Sequence, residues 1–471
     1  MKYTQLVNKE NLWKEKQLEK IELVEANDID NNRIKIEKKT KESYELLKKC
    51  LKTRNIEIGI TDAFRTSEEQ EKIKERLSQE KGTDYVKNYV ANPYESEHHT
   101  GLAIDIAIKK DNKYFDEENE NTKEDYKIIH ETLYKYGFIL RYPKGKEKIT
   151  GYNYEPWHIR YIGKVPSQII YNNNLTLEEY LKDFKTVLYI NKPKGITSFD
   201  VVNEIRHIFG IKKVGHTGTL DPLAEGVMIV ALGKATKIVE LLTAEDKEYI
   251  AEVELGYKTD TYDNTGTILS KKEIPKNLHL KEVINSFKKT YLQEVPIYSA
   301  IKVNGKKLYD YARKNEKIIL PKKEVTIKEI ELLSHDNNKF TFKALVTKGC
   351  YIRSLIQDIG TSLGTYATMT NLLRTKQGKI LLKDTNTIEE IKNNNYKLYN
   401  IEDVLNYPKI KVEKSELLKI SNGVKINNKW NISNKVIFLN QENKIISIYE
   451  KENDCLRPWK NFVWQFRQNV V

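Results

Sequence analysis

Hydrophobic and polar positions change rhythm several times along the chain. Between residues 34 and 56 apolar residues recur at helical spacing (Ile34, Ile36, Tyr44, Leu46, Leu47, Leu51), which predicts a helix, and IEIGITDAF then reads as a strand running into a loop. A helix is predicted over Ser67–Gln79, SEHHTGLAIDIAI passes from loop into an alternating strand, Asp125–Tyr136 is an amphipathic helix, and WHIRYIG closes with another strand. These elements intermingle without a βαβ rhythm, so the expected class is α+β. LTLEEYLKDF reads as a short helix, KTVLYINKPKG begins a strand at once, and Ser198–Ile208 reads as a helix. A Gly-rich loop and the buried strand GVMIVALG follow, then alternating segments such as EYIAEVELGY and KFTFKALVTKG, which together predict a large mixed sheet. From about Tyr407 a small helix, Lys414–Ile420, ends at Asn422-Gly423, and VIFLN, IISIY and NFVWQF read as strands of a small β-rich module.

A length of 471 residues fits two or three domains. We place them at 1–184, 185–406 and 407–471, and charge supports the first boundary. Residues 1–184 hold 33 Lys and Arg against 34 Asp and Glu, whereas the remainder holds 47 against 33, so the whole excess of +13 lies after the boundary. Lys and Arg in such excess suit a polyanion, because they neutralise phosphates and release counterions, although a solvated lysine-rich surface has the same composition. The three cysteines, Cys50, Cys350 and Cys455, lie far apart and form no CxxC pair, which argues against a disulfide framework or a thiolate zinc site. The first twenty residues are charged throughout and Val227–Leu232 is too short to span a bilayer, so no membrane partner and a cytoplasmic location are expected.

Chemistry in the first region concentrates in Arg65 of TDAFRTSEEQ, His98 and Asp105 of SEHHTGLAID, and Glu155 with His158 of EPWH. Two imidazoles and a carboxylate suffice for a catalytic zinc with its fourth position left for water, and a carboxylate outside the ligand set can take that water's proton. The Glu and His three apart in EPWH can present both groups to one metal, one as ligand and one as base. SxHxxGxAxD followed about fifty residues later by ExWH, with a preceding Arg in a strand-to-loop turn, resembles the VanY-type D-alanyl-D-alanine carboxypeptidases of the LAS metallopeptidases over about residues 30–182. That resemblance implies His98, Asp105 and His158 as zinc ligands, Glu155 as general base and Arg65 as the residue that steadies the substrate carbonyl. Ser96 matches a position near the substrate, while His99 has no counterpart role and is expected to be structural. The implied substrate is a stem peptide or dipeptide ending in D-Ala-D-Ala, and without an export signal cytoplasmic dipeptides or recycled muropeptides are favoured.

In the second region HTGTLDPLAEGVMIVALGKATK puts Asp221 in a Gly- and Pro-punctuated loop ahead of a buried strand. Asp-Pro in a loop is usually just a turn. Here INKPKGITSFDVV, GHTGTLDPLAEGV, DKEYIAEVELGYKTDTYD, PIYSAIKVNGKKLYDYAR and KGCYIRSLIQDIG follow in an order and spacing that resemble the bacterial tRNA pseudouridine synthase B family over nearly all of Val187–Leu405. The resemblance implies Asp221 as nucleophile, Tyr249 packing on the flipped base and aiding proton transfer, and Arg353 pairing with Asp221. It also implies His216 on the loop that enters the tRNA T-loop, Tyr351 in a pocket-lining KGCYIR strand, uridine 55 of tRNA as target, and no cofactor. Lys192, Lys194, Lys302, Lys306 and Lys307, interleaved with Tyr309 and Tyr311, are candidate phosphate contacts, although each alone also fits a solvated face. The tail sits where that family carries a small PUA-type β-barrel.

The expectation for the whole is therefore a zinc D,D-peptidase-like domain fused to a tRNA pseudouridine synthase. In the alternative, only the synthase works and the first domain is an inert or binding module. The intact HxxxxxxD and ExxH patterns stand against it.

Overall fold

The computed structural model describes residues 2–314 and 316–463. It divides into two compact units, one built from residues up to Phe184 with Glu204–Lys213 and Lys392–Asn394, the other from Lys185–Asn203, Val214–Ile391 and the chain from Asn395 onward. No helix among the described residues is long and apolar enough to cross a membrane.

The first unit is a five-stranded antiparallel sheet in the order Glu57–Asp62, Ala103–Lys110, His158–Tyr161, Phe138–Leu140, with Lys113–Phe115 on the far end of the second strand. Helices Lys38–Lys52 and Lys123–Leu133 contribute Tyr44, Leu47, Leu51, Tyr126, Ile129 and Leu133 to its core. In the central strand Ile104, Ile106 and Ile108 point into that core, so the period of two turns Ala103, Asp105 and Ala107 to the opposite face. That alternation aims Asp105 away from the core. Ile34 and Ile36 do not extend the first helix as their spacing predicts; they lie on a short strand, Arg33–Glu37, paired with Leu23–Asn27. A spacing of two is the period of a strand, and Glu37 sets where the helix begins, because its carboxylate accepts the Thr40 N–H at 2.9 Å and caps the helix there.

The second unit is organised by a ten-stranded sheet. Its main path runs Thr290–Glu294, Lys322–Asp336, Lys339–Val346, Lys247–Leu255, Ala367–Gln377, Glu225–Gly233, Lys185–Lys192, Leu398–Tyr399. Neighbours on this path are antiparallel except Glu225–Gly233 beside Ala367–Gln377, which pair in parallel over two residues only. At that junction Gly226 has φ +106°, and a Cβ on it would stand 2.3 Å from the Arg374 carbonyl oxygen. Helix Ile352–Ser362 buries Ile352, Leu355, Ile356 and Ile359 in the cluster that covers the sheet.

The tail folds as a five-stranded sheet, Lys409–Lys411, Lys435–Leu439, Ile445–Glu452, Cys455–Asn461, Ile426–Asn427, with helix Lys414–Ser421. Strand Lys435–Leu439 is buried on both faces. Val436 and Phe438 pack with Ile420 and Tyr449, while Ile437 and Leu439 join Val187, Ile229 and Ala231 of the large sheet in one cluster. The strand expected at NFVWQF lies earlier, at Cys455–Asn461, and Trp464–Phe466 fall outside the described residues.

Substituting Gly226→Ala combines positive φ with a backbone clash, and should destabilise the second unit by about 2–4 kcal/mol. Denaturant unfolding of the full chain, followed on that unit's transition, measures it.

Candidate active sites

In the first unit the candidate site grows from one end of the sheet. Asp62, Asp105 and His158 are cross-strand neighbours in one row, Asp62 opposite Asp105 and Asp105 opposite His158. His98 comes from the 3-10 turn Glu97–Thr100, started by the Ser96 hydroxyl accepting the His98 N–H. His98 Nε2 lies 3.4 Å from one Asp105 oxygen and His158 Nδ1 2.9 Å from the other, while Glu155 Oε2 is 3.8 Å from His158 Nδ1. The three ligand-type atoms of His98, Asp105 and His158 lie within 4.8 Å of one another.

Second contacts fix these groups. His98 Nδ1–H donates to the Ala63 carbonyl at 2.5 Å, which leaves its Nε2 lone pair facing the cluster. The ring of Tyr142 packs 4.9 Å from His158. Arg65 donates to Gln70 Oε1 at 2.8 Å, approaches Asp62 at 3.1 Å and reaches Asp105 at 3.6 Å. His99 turns out to be a brace: its Nδ1–H donates to the Arg65 carbonyl and its Nε2 accepts the Tyr94 N–H.

Burial pushes the His158 imidazole below its ordinary value, so it is neutral and able to donate a lone pair at neutral pH. Burial acts the opposite way on Asp105, but His98 and His158 outweigh it and hold that carboxyl well below its usual range. Glu155 is pushed well up, first by burial and then by Asp105. Two nitrogens and a carboxylate converging with a second carboxylate alongside suit a divalent cation. A cavity of about 360 Å³ opens over the cluster, with Tyr85, Tyr89, Asp116 and Trp157 among its walls.

In the second unit Asp221 lies on the loop between strands Val214–His216 and Glu225–Gly233. Arg353 Nε stands 2.9 Å from its carboxylate, while Nη1 and Nη2 donate to the carbonyls of Thr261 and Tyr298 at 2.8 and 3.0 Å. Two carbonyls thus fix the guanidinium plane and leave its third edge to Asp221. Burial raises the Asp221 carboxyl above its ordinary value, Arg353 pulls it back down, and Asp263 and Lys192 exert smaller effects of opposite sign. Asp263 ends the run DKEYIAEVELGYKTDTYD without a role read for it there; its carboxylate is bound by Thr261 and Thr265.

Tyr249, on strand Lys247–Leu255, packs in the same buried cluster as Leu220 and Leu223 beside Asp221. Tyr351 does not lie in a strand. Gly349 at φ +92° turns the chain after Lys339–Val346, Gln293 Oε1 accepts the Tyr351 N–H at 2.8 Å, and Tyr351 becomes the first cap of the helix that carries Arg353. His216 ends a short strand, its Nδ1 accepting the Gly218 N–H at 3.3 Å, and burial lowers its pKa.

Lys192 corrects the sequence expectation. It is fully buried, with Nζ donating to the carbonyls of Pro193 and Ala224, and so is not available to a phosphate. A lysine in NKPKG looks like any surface lysine until the strand pairing turns it inward. Lys302 and Lys194 are exposed, Lys306 pairs with Glu316 at 2.6 Å, and Lys307 donates to the Tyr309 hydroxyl at 2.8 Å.

Comparison with known proteins bears on both sites. The model of the TruB family pseudouridylate synthase N-terminal domain matches residues 206–352, and that of VanY, D-alanyl-D-alanine carboxypeptidase, matches 33–164. The tRNA pseudouridine synthase B of Fusobacterium nucleatum subsp. nucleatum is 44% identical over 278 residues, covering 57% of this chain and 96% of its own length. That of Caldanaerobacter subterraneus subsp. tengcongensis is 40% identical over 280 residues, 59% of this chain and 98% of its own. Among solved structures, a mutant of the vancomycin resistance D,D-pentapeptidase VanY in complex with Zn(II) is 29% identical, covers 39% of this chain and 100% of its own, and has a TM-score of 0.34.

Replacing Lys192 by Met should lower stability by about 1–3 kcal/mol, because two carbonyls lose their donor. The salt dependence of RNA binding should keep its slope, whereas losing a phosphate contact would reduce it by about one. Thermal unfolding and binding across a salt series distinguish the two.

Proposed function

We propose, on the premise that the chain belongs to the tRNA pseudouridine synthase B family and carries a VanY domain before it in sequence, that it is a bifunctional enzyme with two chemically independent active sites. The single observation that carries the synthase half at residue level is the Asp221–Arg353 pair at 2.9 Å, with the guanidinium held by two further carbonyls. In this reading the target is uridine 55 in the T-loop of tRNA. His216 lies on the loop that opens the T-loop, and flipping the base out costs a few kcal/mol, part of which stacking recovers.

Asp221, kept ionised by Arg353, attacks C1′ of the flipped uridine as the C1′–N1 bond breaks. The uracil turns, and its C5 displaces the carboxylate as C1′–C5 forms, while Tyr249 packs against the ring and aids proton transfer. The proton lost from C5 is matched by one taken up at N1. As an isomerisation it consumes no co-reactant and calls for no cofactor. Tyr351 lines the pocket, Lys302 is left to contact phosphate, and residues 407–471 serve as a PUA-like RNA-binding module.

For the first unit the reading is a zinc-dependent D,D-carboxypeptidase or dipeptidase acting on peptides that end in D-Ala-D-Ala. His98, Asp105 and His158 would hold the ion, whose chemistry there is activation of water and polarisation of the scissile carbonyl. Glu155 takes the proton of the attacking water and passes it to the leaving amine, while Arg65 orients the carbonyl. The convergence of three ligand-type atoms within 4.8 Å supports this assignment.

Full-length protein and its Asp221→Ala variant, each incubated with unmodified tRNA and with D-Ala-D-Ala, test both halves. Pseudouridine at the T-loop from wild type only, with about one zinc per chain in both, is the expected outcome; a chelator should then abolish D-Ala release and leave pseudouridine formation intact. Well-folded wild type that makes no pseudouridine would sink the synthase reading. Modification without bound zinc would leave the first unit an inert or binding module.

A second expectation concerns pH. Asp221 must be ionised to attack, burial already raises its pKa, and Arg353 opposes that rise. Arg353→Met should therefore move the acid limb of kcat/KM upward by about one pH unit or more, read from a pH–rate profile of pseudouridine formation.

A further inference from the structure

Behind the His98–Asp105–His158 cluster lies a buried ion network that no step above uses. Arg141 Nε donates to Glu97 Oε1 at 2.8 Å, and its two terminal nitrogens bond the two oxygens of Glu178 at 3.0 and 2.5 Å. Arg160 places Nη1 2.9 Å from the same Glu97 oxygen and donates from Nη2 to the carbonyls of Tyr3 and Gln5. The side chains of Arg141, Arg160 and Glu97 are fully buried, and that of Glu178 is 13% exposed. Two guanidiniums face two carboxylates, so the network is neutral as a whole.

Three of its members adjoin the candidate ligands. Glu97 directly precedes His98; Arg160 follows His158 by two on the same strand; the Arg141 N–H donates to the His158 carbonyl at 3.2 Å. Glu178 does not adjoin them. It sits on helix Leu177–Asp183, beyond the segment that the carboxypeptidase family model matches. Its carboxylate nevertheless supplies one of the two negative charges, and without it Arg141 and Arg160 would share Glu97 alone, leaving a net positive charge beside a cation site. Such a charge costs several kcal/mol to keep buried and repels an incoming dication through a medium of low dielectric.

We propose that Glu178 is a positioning residue of the metal centre: by pairing with Arg141 it keeps the network neutral and so sets the affinity with which His98, Asp105 and His158 hold their cation. The inference rests on reading those three residues as the zinc site. It places a determinant of that site on the helix that leads out of the first unit toward strand Lys185–Lys192.

The test uses the full chain, measuring zinc affinity by competition with a chromophoric chelator, the thermal midpoint, and T-loop pseudouridine formation as a check on the second unit. Glu178→Gln is isosteric but neutral, and should weaken zinc binding about tenfold, the low end for residues that support a ligand. The double variant Arg141→Met with Glu178→Gln leaves the neutral pair Glu97–Arg160 and should return to within about threefold of wild type. Glu179→Gln, which removes the same charge one residue along where it pairs with Lys146 at 3.0 Å, should leave zinc affinity unchanged. Wild-type affinity in Glu178→Gln, even with a lowered thermal midpoint, would overturn the proposal, as would a double variant as weak as the single one. If only the double variant folds, near-wild-type affinity supports charge balance and a tenfold loss overturns it. A wild type that holds no zinc overturns this inference together with the metal reading itself.

Discussion

Burying a carboxylate is costly unless a cation accompanies it, and both units meet that constraint with arginine. Arg353 joins Asp221 in the second unit, and Arg141 and Arg160 join Glu97 in the first. In each case the guanidinium is fixed from several sides, by the Thr261 and Tyr298 carbonyls in one and by Glu178 and the Tyr3 and Gln5 carbonyls in the other. A planar five-donor fork suits this task where a lysine ammonium would not. The sheets, in turn, are arranged so that these arginines arrive at the correct depth, Arg353 from the first turn of a helix and Arg160 from a central strand.

Residues that carry chemistry by type and spacing are legible in the amino-acid sequence itself. His98, Asp105, Glu155 and His158 announce themselves through two short motifs, and the sheet explains their meeting, since Asp105 and His158 are direct cross-strand neighbours. Asp221 and Arg353, more than a hundred residues apart in sequence, do meet at 2.9 Å. What stays hidden depends on burial and on long-range pairing. Lys192 reads as a surface cation and is a buried donor to two carbonyls; Tyr351 reads as strand and is a helix cap, because Gln293 on a distant strand captures its N–H. Arg141 and Glu178 have no motif of their own, and their significance exists only in the contacts they make. Ile34 and Ile36 mislead for a different reason: they run on into the helical pattern of Tyr44, Leu47 and Leu51, and the cap at Glu37 that separates the two elements is a carboxylate like any other along the chain.

The large sheet is antiparallel almost throughout, yet the Asp221 loop enters it at its one parallel join along the main path, where only two residue pairs form. Gly226 allows the two backbones to approach there, and Arg374 on the facing strand sends its guanidinium back to the carbonyls of Val227 and Gly218. Gln377, further along the same strand, binds Thr217 in that loop. The loop is thereby tied at Thr217 and Gly218 before it reaches Asp221, so the carboxylate proposed as nucleophile, borne on irregular backbone, is held by the most regular part of the fold.

Arg160 grips the beginning of the chain through the carbonyl oxygens of Tyr3 and Gln5. Every amino acid offers a carbonyl, so this hold places no demand on which side chains stand at those two positions, but it does fix the path and the residue count of the segment that delivers them. The ring of Tyr3 is held separately, edge-on to Tyr161 at 5.2 Å, so the carbonyl grip fixes the spacing of the segment while the aromatic contact fixes the side chain at its start.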